Sequence, residues 1–321
     1  MTRAADAFPL YELLPALRAI PRVSLCVLPS SVALATIGNT DIWIKCDGTN
    51  APVCGGNKAR ALEFLLAGVK PNDTIITSGG EGSTHVLTTA VHARRLGARV
   101  IGIRWRHEMN HAAYRVAEMI GDECVMSPVY ANATIGLLRA QLMRISSDAR
   151  YIPAGGSTPL GILAHVNAAL ELVEQIRAGN LPAPARVVVP LGSGGTAAGL
   201  ALGFAMAQTD IVTVAVQVTP GIVANGFRLR RLISRTAKLI GQVAGVPRVA
   251  PRLLAIAHDA YGGAYGRVLP AARDAARALE DANGLRLDDT YSAKAFLVAL
   301  TLARSDPQRT LFWSTFDSRL L

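Results

Sequence analysis

Gly55-Gly56-Asn57-Lys58 carries an irregular small-residue loop into what reads as a helix, with a lysine in its first turn. Leu62, Leu65 and Leu66 follow at helical spacing, Glu63 sits early in the helix, and Gly68 is placed to end it. The unpaired N–H groups and positive dipole end of a helix disfavour a second positive charge there. A lysine that is also desolvated gives up its proton more readily, and its amine can then form a Schiff base. Asn57 is suited to cap the helix with its side chain, and the two glycines let the backbone pass close to a flat ligand. Taken alone, the same residues would serve a solvated lysine after a flexible loop equally well.

Further along, Gly192, Ser193, Gly194, Gly195 and Thr196 stand between a valine-rich strand and an Ala/Gly/Leu helix, so their N–H groups and the helix dipole can hold a phosphate. No lysine follows the last glycine as in a Walker loop, and the GxGxxG spacing of a dinucleotide site is missing, which leaves a phosphomonoester as the better guest. Gly79-Gly80-Glu81-Gly82-Ser83-Thr84-His85 is a second such turn. Ser83 and Thr84 can cap the following helix, or their hydroxyls and N–H groups can receive a substrate carboxylate. Tyr261, Tyr265 and Tyr291 sit among glycines or at a turn, where phenols either pack a domain edge or face a cleft as acid, base or hydrogen-bond donor. His107-Glu108-Met109-Asn110-His111 matches the zinc signature HExxH. That chemistry needs both histidines one turn apart on one helix, whereas Asn110 reads as the cap of a helix starting near His111. No metal is therefore expected.

The elements that position these residues alternate. Strands are expected at 42–45, 74–77, 100–105, 123–126, 186–190, 212–218 and 310–313, and helices at 11–20, 83–96, 112–120, 135–147 and 161–177, from 271 and after Tyr291. The beat is that of βαβ units around parallel sheets, and two α/β domains account for a chain of 321 residues. Half the residues are hydrophobic and 17% are charged, which excludes a disordered chain. An excess of 33 basic over 23 acidic residues suggests nucleic acid. However, the densest basic run puts Arg228, Arg231, Arg235 and Lys238 on one helical face and Leu229, Leu232, Ile233 and Ile240 on another, an amphipathic surface helix. Attraction of small anionic substrates is the easier use of the charge. Acidic Asp6 and Glu12 and several prolines argue against a signal peptide, and no apolar run is long enough for a membrane span. Cys26, Cys46, Cys54 and Cys124 show no paired spacing, so a reducing cytoplasm is expected.

In chain order, GGNKARALEFLL, SGGEGSTH, IPAGGSTPLGILAHVNAALEL, VVVPLGSGGTAAGL and LDDTYSAKAFLVAL closely resemble the family of aminocyclopropane-carboxylate deaminases and D-cysteine desulfhydrases, over about residues 40–315. The resemblance implies a two-domain, three-layer α/β/α protein of the tryptophan-synthase-β-like fold (fold type II). A larger cofactor-phosphate domain would span 1–50 and 155–321 and a smaller α/β domain 51–154. It implies pyridoxal 5'-phosphate held through an imine on Lys58, with its phosphate wrapped by Gly192, Ser193, Gly194, Gly195 and Thr196 and with Asn57 beside it. Ser83 would stand over the cofactor face and help in proton transfer, Thr84 and His85 would complete the carboxylate turn, and Tyr265 and Tyr291 match the family's active-site tyrosines. Thr315 falls where the family places the partner of the pyridine nitrogen. The expected activity is that of a lyase or deaminase on a small amino acid, yielding keto acid and ammonia. A β- or γ-replacement enzyme and a non-catalytic cofactor-binding protein are the alternatives, and a homodimer is implied. Two departures stand out. The family turn reads Ser-Asn-His where this chain has Ser83-Thr84-His85, and the family's His-Thr-Gly-Gly is here Ser314-Thr315-Phe316-Asp317, so the bulk of Phe316 is expected to reshape the pocket.

Overall fold

Val187-Val188-Val189 has no polar alternation, the mark of a strand covered on both faces, and all three side chains are fully buried. The computed structural model, which describes residues 8–251, 254–306 and 309–321, builds the chain around two sheets made largely of such strands. Asp6 lies outside the described residues. The N-terminal part comprises α1 (Pro9–Leu13), β1 (Ser31–Ile37), β2 (Thr40–Cys46), α2 (Asn57–Leu65), β3 (Thr74–Gly80) and α3 (Thr84–Arg95). Next come β4 (Arg99–Trp105), α4 (His111–Glu123), β5 (Val125–Tyr130), α5 (Ala133–Ile145), β6 (Arg150–Ile152) and α6 (Pro159–Arg177). The remainder is β7 (Arg186–Leu191), α7 (Gly195–Met206), β8 (Val212–Gln217), α8 (Gly226–Ala244), β9 (Leu254–Ala257), α9 (Pro270–Asn283), α10 (Ser292–Ser305) and β10 (Thr310–Ser314).

The larger sheet has the order β1-β2-β10-β7-β8-β9 and the smaller β5-β4-β3-β6. Every pairing is parallel except the β1–β2 hairpin at one edge. The helices expected from periodicity form within a few residues of their expected ends, with one exception. The stretch 11–20 is not one helix: Pro15 cannot supply the N–H a continuous helix needs, so α1 stops at Leu13 and a separate short 3-10 turn runs Pro15–Ala19. The hairpin partner β1 and the edge strand β9 go beyond the sequence expectation; both are largely half-exposed sheet edges and so carry little apolar signal.

Helix α6 is buried along nearly its whole length and packs with α7 against β7 in the main core. Beneath α2 lies a buried ionic network. The Arg60 guanidinium donates to both oxygens of Asp47 and to both of Glu171, and Lys45 Nζ meets Glu171 Oε1 at 2.5 Å. Asp47 also accepts from Ser30 Oγ at 2.8 Å and Trp313 Nε1 at 2.8 Å. The network ties β2, α2, α6 and β10 together, and α2 is the helix that carries Lys58. Removing one partner of such a set strands a buried charge at a cost of about 3–5 kcal/mol.

Candidate active site

Lys58 occupies the first turn of α2 because the loop before it is held from several sides. Gly56 is the N-cap at φ +96°, and a Cβ there would lie 2.4 Å from the Thr315 carbonyl oxygen. Gly55 N donates to Asp317 Oδ2 at 2.9 Å, and Asp317 is clamped by Arg319, which also donates to the carbonyls of Ala51 and Pro52. Asn57 does not cap the helix. With Gly56 at the N-cap, the Asn57 side chain turns outward and donates from Nδ2 to Thr196 Oγ1 at 2.8 Å, while its N–H donates to Thr315 O at 3.2 Å. The lysine loop is thereby bound to the glycine turn 139 residues away.

That turn leaves β7 and enters α7 through Gly194, whose left-handed φ of +95° suits glycine. Ser193 Oγ lies 2.7 Å from Ser157 Oγ, which also accepts from Gly195 N at 3.0 Å. The N–H groups of the first turn of α7 have no acceptor within the helix. Ser157 goes beyond the expected site residues; it follows Gly155-Gly156 in the segment joining β6 to α6.

Lys58, Asn57, Ser83, His85, Gly192, Ser193, Gly194, Gly195, Thr196, Tyr265, Tyr291 and Thr315 all line one cleft of about 590 Å³ between the C-terminal ends of the two sheets. A larger surface groove of about 830 Å³ beside α1 and the ends of α6 and α7 holds none of these residues. Lys58 Nζ lies 5.1 Å from the centre of the Tyr291 ring. Burial lowers the Lys58 ammonium to a pKa of about 8, and the Asp288 carboxylate acts in the other direction. The amine thus becomes available close to neutral pH. The Tyr265 and Tyr291 hydroxyls share a short hydrogen bond, with ring centres 5.7 Å apart in an edge arrangement. Burial pushes Tyr265 up to about 12 and raises Tyr291 further, so both phenols stay protonated in the physiological range. Tyr261 stands apart from the cleft and offers its carbonyl to Lys294 Nζ at 2.9 Å.

The second glycine turn closes the opposite wall. Ser83 heads α3 and lines the cleft without a capping hydrogen bond of its own. His85 Nε2 lies 3.1 Å from Thr77 Oγ1, and burial, aided by the charge on Lys58, brings its pKa down to about 3, so the ring is neutral. Thr84 and Phe316 are not among the residues that line this cleft. Both face a separate void of about 10 Å³ behind Lys58, shared with Asp288. Phe316 therefore fills space behind the lysine, its main chain packed on Gly48, and leaves the cleft wall alone. His107 lies ahead of α4, with Nε2 2.7 Å from Glu81 O and its ring centre 4.7 Å from that of Tyr265. Asn110 caps α4 by accepting from Ala113 N, so His107 and His111 do not share a helix.

A lysine, a phosphate-sized glycine turn and a phenol pair around one cleft define a chemistry, and a family comparison supplies its class. The model of the family described as "Pyridoxal-phosphate dependent enzyme" matches residues 28–313. The chain belongs to that family. The enzyme is 34% identical over 94% of its length to the nocardicin C-9' epimerase of Nocardia uniformis subsp. tsuyamanensis, covering 94% of that protein. It is 31% identical over 82% of its length to a protein of Pyrococcus abyssi named a putative 1-aminocyclopropane-1-carboxylate deaminase, covering 80% of it. Among solved structures, an ACC deaminase homologue superposes with a TM-score of 0.79 at 29% identity, over 97% of this chain and 95% of that one. The enzyme therefore has the two-domain α/β architecture of the type II pyridoxal-phosphate fold, and its cofactor is pyridoxal 5'-phosphate. Among the described residues, no helix is long and apolar enough to cross a membrane.

The residues present fit that group. The buried Asn57 Oδ1 has no hydrogen-bond partner within the protein and belongs to a residue lining the cleft, and so offers an acceptor to a phenolic hydroxyl. The buried Ser78 Oγ, on another cleft residue, is likewise unpaired.

Proposed function

We propose that the enzyme is a lyase or deaminase that eliminates a leaving group from a small amino acid, the remainder taking up water to give keto acid and ammonia. The observation that carries this reading is the recessed Lys58 amine, with a pKa near 8, in one cleft with both glycine turns and the phenol pair. In this reading Lys58 Nζ would hold the cofactor and, when free, would remove the proton on the substrate α-carbon. Bound in the cleft, the cofactor supplies an electron sink for the bond that breaks at that carbon. Gly192 to Thr196 hold its phosphate through N–H groups and the α7 dipole, Asn57 takes its hydroxyl, and Thr315 offers a neutral partner to its ring nitrogen. Ser83 and the N–H groups of its turn receive the substrate carboxylate. Neutral His85 keeps that wall free of a competing positive charge, and the Tyr265–Tyr291 pair, protonated at working pH, gives or relays a proton to the departing side of the substrate. Four free cysteines support a reducing, cytoplasmic setting. The exposed Ile135, Leu138, Leu142 and Ile145 along α5 support self-association into a homodimer.

Incubation of the cofactor-loaded enzyme with D-cysteine, whose α-carbon carries the hydrogen that Lys58 would remove, tests the proposal. Keto acid and ammonia released in equal amounts support it; an unchanged substrate pool that only perturbs the visible absorbance counts against it. The 34% relative favours a second reading, inversion at the same carbon. Lys58 would remove the proton from one face and the phenol pair or Ser83 would return it to the other. Deuterium entering the α-carbon from D₂O, with no keto acid formed, distinguishes that outcome.

A further inference from the structure

Asp288 is a buried carboxylate to which the proposed reaction assigns no task. It is 3% exposed and precedes α10, accepting from Tyr291 N at 2.8 Å and from Ser292 N at 3.0 Å. Those two bonds and the helix dipole stabilise an anion without neutralising it. Asp288 also borders a void of about 10 Å³, the space of a single water molecule. Lys58 borders the same void. A buried charge without compensation is costly enough that it is normally paired or lost.

We propose that Asp288 is the counter-charge of Lys58, a positioning residue that faces the lysine nitrogen across this one-water void and favours the proton on it. The inference rests on the reading of Lys58 as the cofactor lysine. Its consequence for turnover is specific. When the bond from the substrate α-carbon to hydrogen breaks, its electron pair stays on the substrate–cofactor side and the proton passes to Lys58 Nζ, creating a cation in a buried place. Asp288, which does not line the cleft, compensates that cation from the neighbouring void. The same residue fixes Tyr291 through its main-chain N–H and so sets the phenol ring 5.1 Å from the lysine nitrogen.

The other titratable groups around Asp288 do not already play this part. Asp317 at the far side of the void is held by Arg319. Lys294, one turn into α10, donates to Tyr261 O; its buried ammonium also feels the Asp288 charge, but it does not line the void that Asp288 shares with Lys58. Tyr265 and Tyr291 are neutral and bonded to each other. The Asp288 carboxyl is raised by burial, and the N–H groups of Tyr291 and Ser292 together with the charge on Lys58 act against that rise.

The test compares the wild-type enzyme with Asp288→Asn, each reconstituted with pyridoxal phosphate, by visible absorbance against pH. The amide keeps the shape and one acceptor but removes the charge. The expected result is a bound cofactor in both and a band whose pH midpoint falls by about one unit or more in the variant, a tenfold change in proton affinity. The same midpoint in both proteins overturns the inference while leaving the Lys58 reading intact. Absence of any band in the wild type overturns the Lys58 reading and this inference with it. Should Asp288→Asn not fold, the wild-type midpoint is measured at roughly 0.05 M and 1 M salt. A buried pair is barely screened, so the midpoint should hold, and a midpoint that moves with salt overturns the proposal.

Discussion

Replacing Arg60 by methionine keeps the length of the side chain and removes the guanidinium that bridges Asp47 and Glu171 beneath α2. In the wild type, burial alone raises the Glu171 carboxyl, but Arg60 and Lys45 outweigh it and bring its pKa down to about 2 from an ordinary 4.5. A shift of that size corresponds to about 3 kcal/mol, in line with the cost of stranding one partner of a buried ionic set. The variant should therefore lose about 3–5 kcal/mol of stability, a large part of a typical total, and its thermal midpoint should fall by roughly 10 °C. The pH dependence has a definite sign. A carboxyl depressed in the folded state contributes stability that is complete above its unfolded value and is lost as pH falls from there toward about 2. Wild type should thus lose this contribution gradually in acid, and the variant, left with Lys45 alone against Glu171, should show a flatter profile over the same window. Urea unfolding at neutral pH and across this acid range is the assay, with the slope unchanged so that midpoints compare directly. A loss under about 1 kcal/mol, or an unchanged acid profile, would refute the argument that this network fixes the helix carrying Lys58.

Three further outcomes are expected. The rate at which the cofactor-free protein takes up pyridoxal phosphate should rise with pH through about 8, since the reactive species is the neutral amine of Lys58; stopped-flow absorbance measures it, and a flat profile through that range speaks against a buried amine. Gly194→Ala forces a side chain onto φ +95° with its Cβ 3.1 Å from Leu229, costing about 1–3 kcal/mol and weakening cofactor binding tenfold or more by equilibrium dialysis. Tyr265→Phe breaks the phenol pair and should lower kcat by about 10²-fold or more while the cofactor's visible band persists; an unchanged kcat would remove that pair from the proposed proton path.

Much of this arrangement was legible in the chain itself, because glycine turns after β-branched strands report a local backbone requirement. Lys58 and the turns at 79–85 and 192–196 are local features of that kind, and all three come together at one cleft. What escaped depends on residues far apart in sequence. Asn57 has the composition of a cap, yet Gly56 can adopt the left-handed conformation and takes that place, which frees the amide for Thr196. Resemblance to a motif says nothing of which side of Lys58 Thr84 and Phe316 border, and α3 and the C-terminal segment bring both to the small void beside it. Ser157 and Asp288 are ordinary polar residues until β6–α6 and α10 fold beside the glycine turn and Lys58. The β1–β2 hairpin was half-seen because β1 lies at a sheet edge and alternates only weakly.

The central claim is that one nitrogen, Lys58 Nζ, holds the cofactor. Borohydride reduction of the protein loaded with pyridoxal phosphate, followed by proteolysis and mass spectrometry of the peptides, reads that bond directly. The account predicts a pyridoxyl-phosphate adduct on the peptide containing Lys58 and its disappearance in Lys58→Ala. An adduct confined to another lysine, or a Lys58→Ala variant that is trapped as readily as wild type, would contradict it.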